Sequence, residues 1–219
     1  MISLIELGRT EQALTFATAE LAQAQQLTDL VVSAVHEPVL AALLLGKAAE
    51  ANERGVALEV NPASNVPESV IPARDLVTVV GNLLDNAIDA AAGAPGPRRV
   101  GFSSWIEDAP SDADMAGTLV LQVSDSGPGL DQGSAARAFT RGWSTKSDER
   151  LIGRGLGLAL VGQVTHRNNG TVEVAGAEDP ILAHPVQHDA VVPDAGFLDA
   201  VFVGAVFTVR FPLPVAVAP

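Results

Sequence analysis

The run Asn82-Leu83-Leu84-Asp85-Asn86-Ala87-Ile88-Asp89-Ala90 holds the side chains most able to do chemistry in this chain. Apolar Leu76, Val80, Leu83, Leu84 and Ala87 recur at helical spacing, and the opposite face carries Asn82, Asp85, Asn86 and Asp89. A solvated helix face is ordinarily made of Lys, Glu, Gln and Arg. Asn and Asp are poor helix formers, because their short side chains compete for backbone hydrogen bonds. Two Asn four residues apart therefore aim two amide oxygens at one place, at some cost in helix stability. A hard cation takes such oxygens, and magnesium usually does so together with substrate phosphates. The competing reading is an ordinary polar helix face.

A second cluster lies downstream. Leu119–Ser124 reads as a buried strand that runs straight into Asp125-Ser126-Gly127-Pro128-Gly129, and Gly153-Arg154-Gly155-Leu156-Gly157-Leu158 opens an apolar, helical stretch. A carboxylate at a strand end can accept a hydrogen bond from an exocyclic amine. Glycines admit close backbone approach, and a helix N-terminus favours phosphate. Five of the thirteen basic residues (Arg137, Arg141, Lys146, Arg150, Arg154) fall after the first glycine-rich segment, four of them before the second and Arg154 within it. With a net charge of −13, an anionic nucleotide needs such a local reversal of field, and a closing lid of about residues 130–152 would supply it. The same net charge argues against a nucleic-acid-binding surface.

The elements that must position these groups alternate. Helices are expected from Thr10 to about Ala24 and from Pro38 until Gly55, forming an N-terminal helical hairpin. Two Ala- and Leu-rich arms would leave apolar surface exposed unless paired with another copy. Strands are expected at 56–60, 99–105, 118–123, 171–174 and 205–211, and helices at 72–92 and 155–166. That order predicts an α+β fold, an α/β sandwich with helices on one face of a mixed sheet. The expected organisation is the hairpin over residues 1–54 and a second domain over 55–219, with surface insertions at 107–117 and 179–199. No stretch has the length and purity of a membrane span, and Cys is absent, which fits a reducing compartment.

In this order, the segments 82–90, 125–129, 139–146 and 153–158 resemble the N, G1, F and G2 boxes of sensor histidine kinases, over roughly residues 55–212. The resemblance implies a Bergerat-type ATP-binding fold. Asn86, with Asn82 beside it, would bind Mg2+ bridging the ATP phosphates, and Asp125 would accept from the adenine amine. Gly127 and Gly129 would pass close to the base, and Gly153, Gly155 and Gly157 would line the phosphate path, with Lys146 and Arg154 as phosphate contacts. Gyrase, mismatch-repair ATPases and an ATP-driven chaperone share the fold but keep a general-base Glu where this chain has Asn82. An amide cannot take a proton from water near neutral pH, so this catalytic position favours phosphoryl transfer over hydrolysis.

The acceptor in such kinases is a His on the first hairpin helix. Of four His, His166, His184 and His188 lie away from the hairpin, and His36 precedes Pro38 at a helix entrance. Residues 1–9 resemble the stretch just after the acceptor motif of citrate- and dicarboxylate-sensing kinases. On that resemblance the chain is the cytoplasmic, C-terminal portion of a membrane sensor, with the acceptor His upstream and the membrane reached only through upstream segments. The full protein would be a homodimer that passes phosphate to a response regulator. The rival readings are a serine kinase of the anti-sigma-factor type, which needs no such helical stem, and a non-catalytic ATP-binding module.

Overall fold

The computed structural model describes residues 9–68, 70–110, 115–130, 139, 156–176 and 204–214. Most of the expected lid, with Lys146, Gly153, Arg154 and Gly155, lies outside the described residues, as does the expected insertion at 179–199. The chain runs α1 (Thr10–Ala34), α2 (Pro38–Glu53), β1 (Ala57–Val60), α3 (Ala73–Ala92), β2 (Arg99–Asp108), β3 (Met115–Asp125), α4 (Gly157–Arg167), β4 (Thr171–Ala175) and β5 (Val206–Pro214). The strands form one sheet in the order β1-β2-β3-β5-β4; β1 pairs parallel with β2, and the other pairs are antiparallel. The mixed sheet with helices on one face is the expected α+β sandwich.

Alternation explains which face is covered. Val100 and Phe102 of β2, Leu119, Leu121 and Val123 of β3, and Phe207, Val209 and Phe211 of β5 all point into the core. The other face carries Gln122, which donates to Thr208 Oγ1 at 3.2 Å, and Arg210, which pairs with Glu173 at 3.0 Å. Against the apolar face lies α3, with Leu76, Val79, Val80, Leu83, Leu84, Ala87, Ile88 and Ala91 buried. Its partner α4 is fixed at one end by the buried Asp75, whose two oxygens accept from Arg167 Nη2 at 2.6 Å and Asn168 Nδ2 at 2.8 Å.

The first helix is ten residues longer than expected and reaches Ala34. Thr28 does not interrupt it, because its hydroxyl donates to the Ala24 carbonyl at 2.9 Å. Leu27 and Leu30 continue the helical spacing and pack against the core, where Val31 and Ala34 are buried. The second helix begins and ends as the residue types dictate. Glu37 caps it, Pro38 occupies its first turn, and Gly55 follows in the left-handed region at φ 68°. The hairpin is also covered differently from the expectation: Leu40, Leu44 and Ala51 of α2 share one core with β1 and α3. Between the helices, Val35 bridges Val66 in parallel, with His36 N donating to Val66 O at 2.9 Å and Val66 N to Ala34 O at 3.0 Å. The core is thus continuous across residue 54.

Truncation inside that shared core has a defined cost. Leu44 is 1% exposed, so Leu44→Ala is expected to lower stability by about 2–5 kcal/mol. Urea unfolding followed by circular dichroism measures it, and a loss well below 1 kcal/mol would mean that α2 is not part of the core.

Candidate functional site

Three sides of α3 are occupied: the sheet below, α4 on one flank and α2 on the other. The strip left open carries Asn82 and Asn86, about 40° apart on the helix. Each amide nitrogen donates to the carbonyl one turn back, Asn82 Nδ2 to Thr78 O at 2.6 Å and Asn86 Nδ2 to Asn82 O at 2.8 Å. These bonds absorb the donors and turn the amide oxygens into the available acceptors. The Asn82 oxygen faces the first residue of α4: a Cβ on Gly157 would lie 2.8 Å from it. Glycine at 157 is therefore what lets the N-terminus of α4 meet the polar strip.

Asp85 and Asp89 share the expected polar face with the two Asn but turn toward α2. Asp85 Oδ1 pairs with Lys47 Nζ at 2.5 Å and Asp89 Oδ1 with Arg54 Nη2 at 2.8 Å, both cations coming from α2. Lys47 also holds Glu50 at 2.6 Å. Burial alone would lower the Lys47 pKa; the hydrogen bonds and charges of Asp85 and Glu50 outweigh it and raise the pKa above its ordinary value.

At the C-terminal end of β3, Asp125 is 2% exposed. Its Oδ1 accepts from Gly127 N at 2.7 Å and more weakly from Ala205 N at 3.4 Å. Burial pushes the carboxyl up to about 6, against the two backbone hydrogen bonds, which pull it down. The turn that follows is tightly enclosed: a Cβ on Gly127 would lie 2.8 Å from Ala90 Cβ, near the C-terminal end of α3. Gly129 takes φ 73°, a left-handed conformation that favours glycine. Asp125, Gly127 and the end of α3 thus come together, with Asn86 one turn back along the same helix.

Sequence reasoning missed Gly204. Its N donates to Asp125 O at 2.9 Å, and a Cβ there would overlap Asp125 Oδ1 and sit 2.7 Å from Gly127 N. The Gly-Ala pair before the last strand was the available signal, but its meaning depends on a turn almost eighty residues earlier. Phe139 rests edge-on to Phe207 of β5, with ring centroids 6.3 Å apart.

Oxygen donors without a carboxylate cage suit a hard cation that arrives with its own phosphates. Among the described residues there is no group of three or more His, Cys, Asp or Glu able to hold a metal alone. The amide oxygens of Asn82 and Asn86 fit Mg2+ in that shared mode.

Residues 72–215 match the family described as histidine kinase-, DNA gyrase B- and HSP90-like ATPase. The chain is 32% identical over 173 residues to sensor protein CitS of Halalkalibacterium halodurans, covering 77% of this chain and 30% of that protein. It is 33% identical over 178 residues to a protein of the same organism named probable C4-dicarboxylate sensor kinase, covering 78% and 31%. It therefore spans about a third of the length of these relatives. The fold is similar to that in the crystal structure of full-length ShkA in complex with AMPPNP, with TM-score 0.55 and 19% identity, over 99% of this chain and 40% of that one.

The raised Asp125 pKa sets the sign of a pH effect. Folding strengthens proton binding there, so the burial penalty is absent below the ordinary value of 3.8 and complete above about 6. Between these limits stability falls as pH rises, by up to about 3 kcal/mol for a shift of this size. Asp125→Asn keeps an acceptor oxygen for the Gly127 and Ala205 N–H groups and has no charge to bury. Its stability relative to wild type is expected to rise from pH 4 to pH 7, as read from urea midpoints; parallel pH profiles would refute the assignment.

Proposed function

Because the chain belongs to the histidine kinase-, DNA gyrase B- and HSP90-like ATPase family, we propose that it is the ATP-binding catalytic portion of a sensor histidine kinase that transfers the γ-phosphoryl group of ATP to a histidine. The observation that carries the nucleotide reading is the juxtaposition of a buried carboxylate, Asp125, with a helix whose open strip presents Asn86 and Asn82. Asp125 accepts from the adenine amine, and the backbone at Gly127 and Gly129 passes along the base. Asn86 and Asn82 offer oxygens to Mg2+, which neutralises charge on the phosphates when bound. The N-terminus of α4 at Gly157 lies beside Asn82 and favours phosphate. Gly153, Gly155, Lys146 and Arg154 complete the phosphate contacts in this proposal, from outside the described residues.

Transfer is favoured over hydrolysis because position 82 is an amide, which can orient water but cannot deprotonate it. His36 is a poor acceptor: it lies in the α1–α2 link instead of on a helix, with its backbone N–H tied to Val66. The acceptor is then a histidine on another helical segment, as in the related sensor kinases, and a response regulator takes the phosphate from it. Homodimerisation is supported by the apolar residues that α1 leaves open, Leu14 at 66% and Leu21 at 68% exposure, two turns apart. No helix of the described residues is long and apolar enough to cross a membrane. A cytoplasmic place beneath a membrane sensor and a citrate- or dicarboxylate-type stimulus are proposed from the similarity to CitS and the C4-dicarboxylate sensor kinase. The serine-kinase alternative accounts less well for α2, which packs into the core as a stem helix.

Asn86→Ala and Asp125→Ala are each expected to weaken Mg–ATP binding by about 1–3 kcal/mol, measured by calorimetry; unchanged affinity in both sinks the site. Wild type is expected to turn over ATP very slowly, and Asn82→Glu to release phosphate faster while retaining some binding. The longer side chain at 82 reaches toward α4, so the gain depends on the carboxylate finding room beside Gly157. Robust wild-type hydrolysis that Asn82→Ala abolishes without loss of binding would make the protein an ATPase instead.

A further inference from the structure

The second hairpin helix meets the helix that carries Asn82 and Asn86 in a register set by charge. Leu43 lies over Gly81, where even an added Cβ would be in ordinary contact at 3.8 Å. One turn on, Lys47 pairs with Asp85 at 2.5 Å, and further on Arg54 pairs with Asp89 at 2.8 Å. The order 43, 47, 54 against 81, 85, 89 means that α2 and α3 run parallel. Both ends of α2 are also tied to the sheet side of the molecule. Its entry is held by the Val35–Val66 bridge, and its exit leads directly into β1, with Val56 N donating to Ala51 O at 2.9 Å.

The close-packed face of α3 sets which side of that helix meets the core, and Leu40, Leu44 and Ala51 hold α2 against it. The ion pairs add directional ties along the edge of α3 that α2 covers. Asp85 sits on the flank of the open strip, about 60° from Asn82 around the helix, and immediately precedes Asn86. Lys47 is only 18% exposed and bridges Asp85 and Glu50, so its ammonium has little freedom to leave.

We propose that Lys47 and Arg54 are positioning residues for the nucleotide site: through Asp85 and Asp89 they hold α3 so that Asn82 and Asn86 face the metal-bearing phosphates. This rests on the nucleotide reading given above. It makes α2 part of the frame of that site, because both aspartates on α3 are paired with cations of α2.

The test is a charge reversal on the full chain. ATP affinity is measured by calorimetry, with Mg2+ and with EDTA, for wild type, Lys47→Glu, Asp85→Lys and the double variant, alongside urea midpoints. Each single reversal is expected to weaken ATP binding about three- to fivefold, with most of the loss in the Mg2+ titration. The double reversal is expected to return affinity to within about twofold of wild type. Folded single variants that bind like wild type overturn the proposal, and so does a double variant with no recovery. If Lys47→Glu loses its unfolding transition, Lys47→Met takes its place, with the same weakening expected and wild-type affinity overturning the proposal. Wild type that binds no ATP with Mg2+ overturns the nucleotide reading itself, a failure distinct from equal binding by all four proteins.

Discussion

Burial of α3 on three sides is the constraint from which the rest of the molecule follows. The sheet takes Leu76, Val80, Leu84 and Ala87, α4 takes one flank through Asp75, and α2 takes the other through Gly81 and Asp85. One strip remains for chemistry. A helix so enclosed cannot relocate its functional side chains by rolling without breaking a core contact or an ion pair, so the direction of two amide oxygens becomes a property of the whole fold. Poor helix formers are tolerated on that strip because packing, not intrinsic propensity, stabilises the helix.

The carboxylate at the other end of the site is maintained at a cost. Desolvation dominates at Asp125, and two backbone N–H groups recover only part of what water would have given. In the proposed function an adenine amine would supply the missing partner. The walls that exclude water from it are backbone: Gly127 lies against Ala90, and Gly204 lies against both Asp125 and Gly127, where a side chain would overlap the carboxylate. The expense of the buried charge and the requirement for glycine are two aspects of the same enclosure.

What the sequence made legible was local. The 3.6-residue period of α3, the strand running into Asp125 and the glycines after it lie within a few residues of one another, and the structure places them as expected. The role of Gly204 was not legible, because its constraint comes from a strand neighbour far away in sequence. The same holds for Asp85 and Asp89. Their spacing from Asn82 and Asn86 suggested one polar face, and only the position of α2 shows that they serve as anchors. The extent of α1 was missed because its last ten residues are stabilised by tertiary burial of Val31 and Ala34, which no helical signal at Thr28 or Ser33 announces.

These contacts also divide the hairpin unequally. Along α1, Leu14 and Leu21 are left open, whereas Val31 and Ala34, at its C-terminal end, are buried with α2. Burial therefore runs from Leu27 of α1 through α2 and across the helix-to-strand junction after Arg54. The outer part of α1, where Leu14 and Leu21 are exposed, is continuous with this buried segment. The Val35–Val66 bridge, α2 and the two ion pairs on α3 thus form one continuous set of contacts from the end of α1 to the helix that carries Asn82 and Asn86.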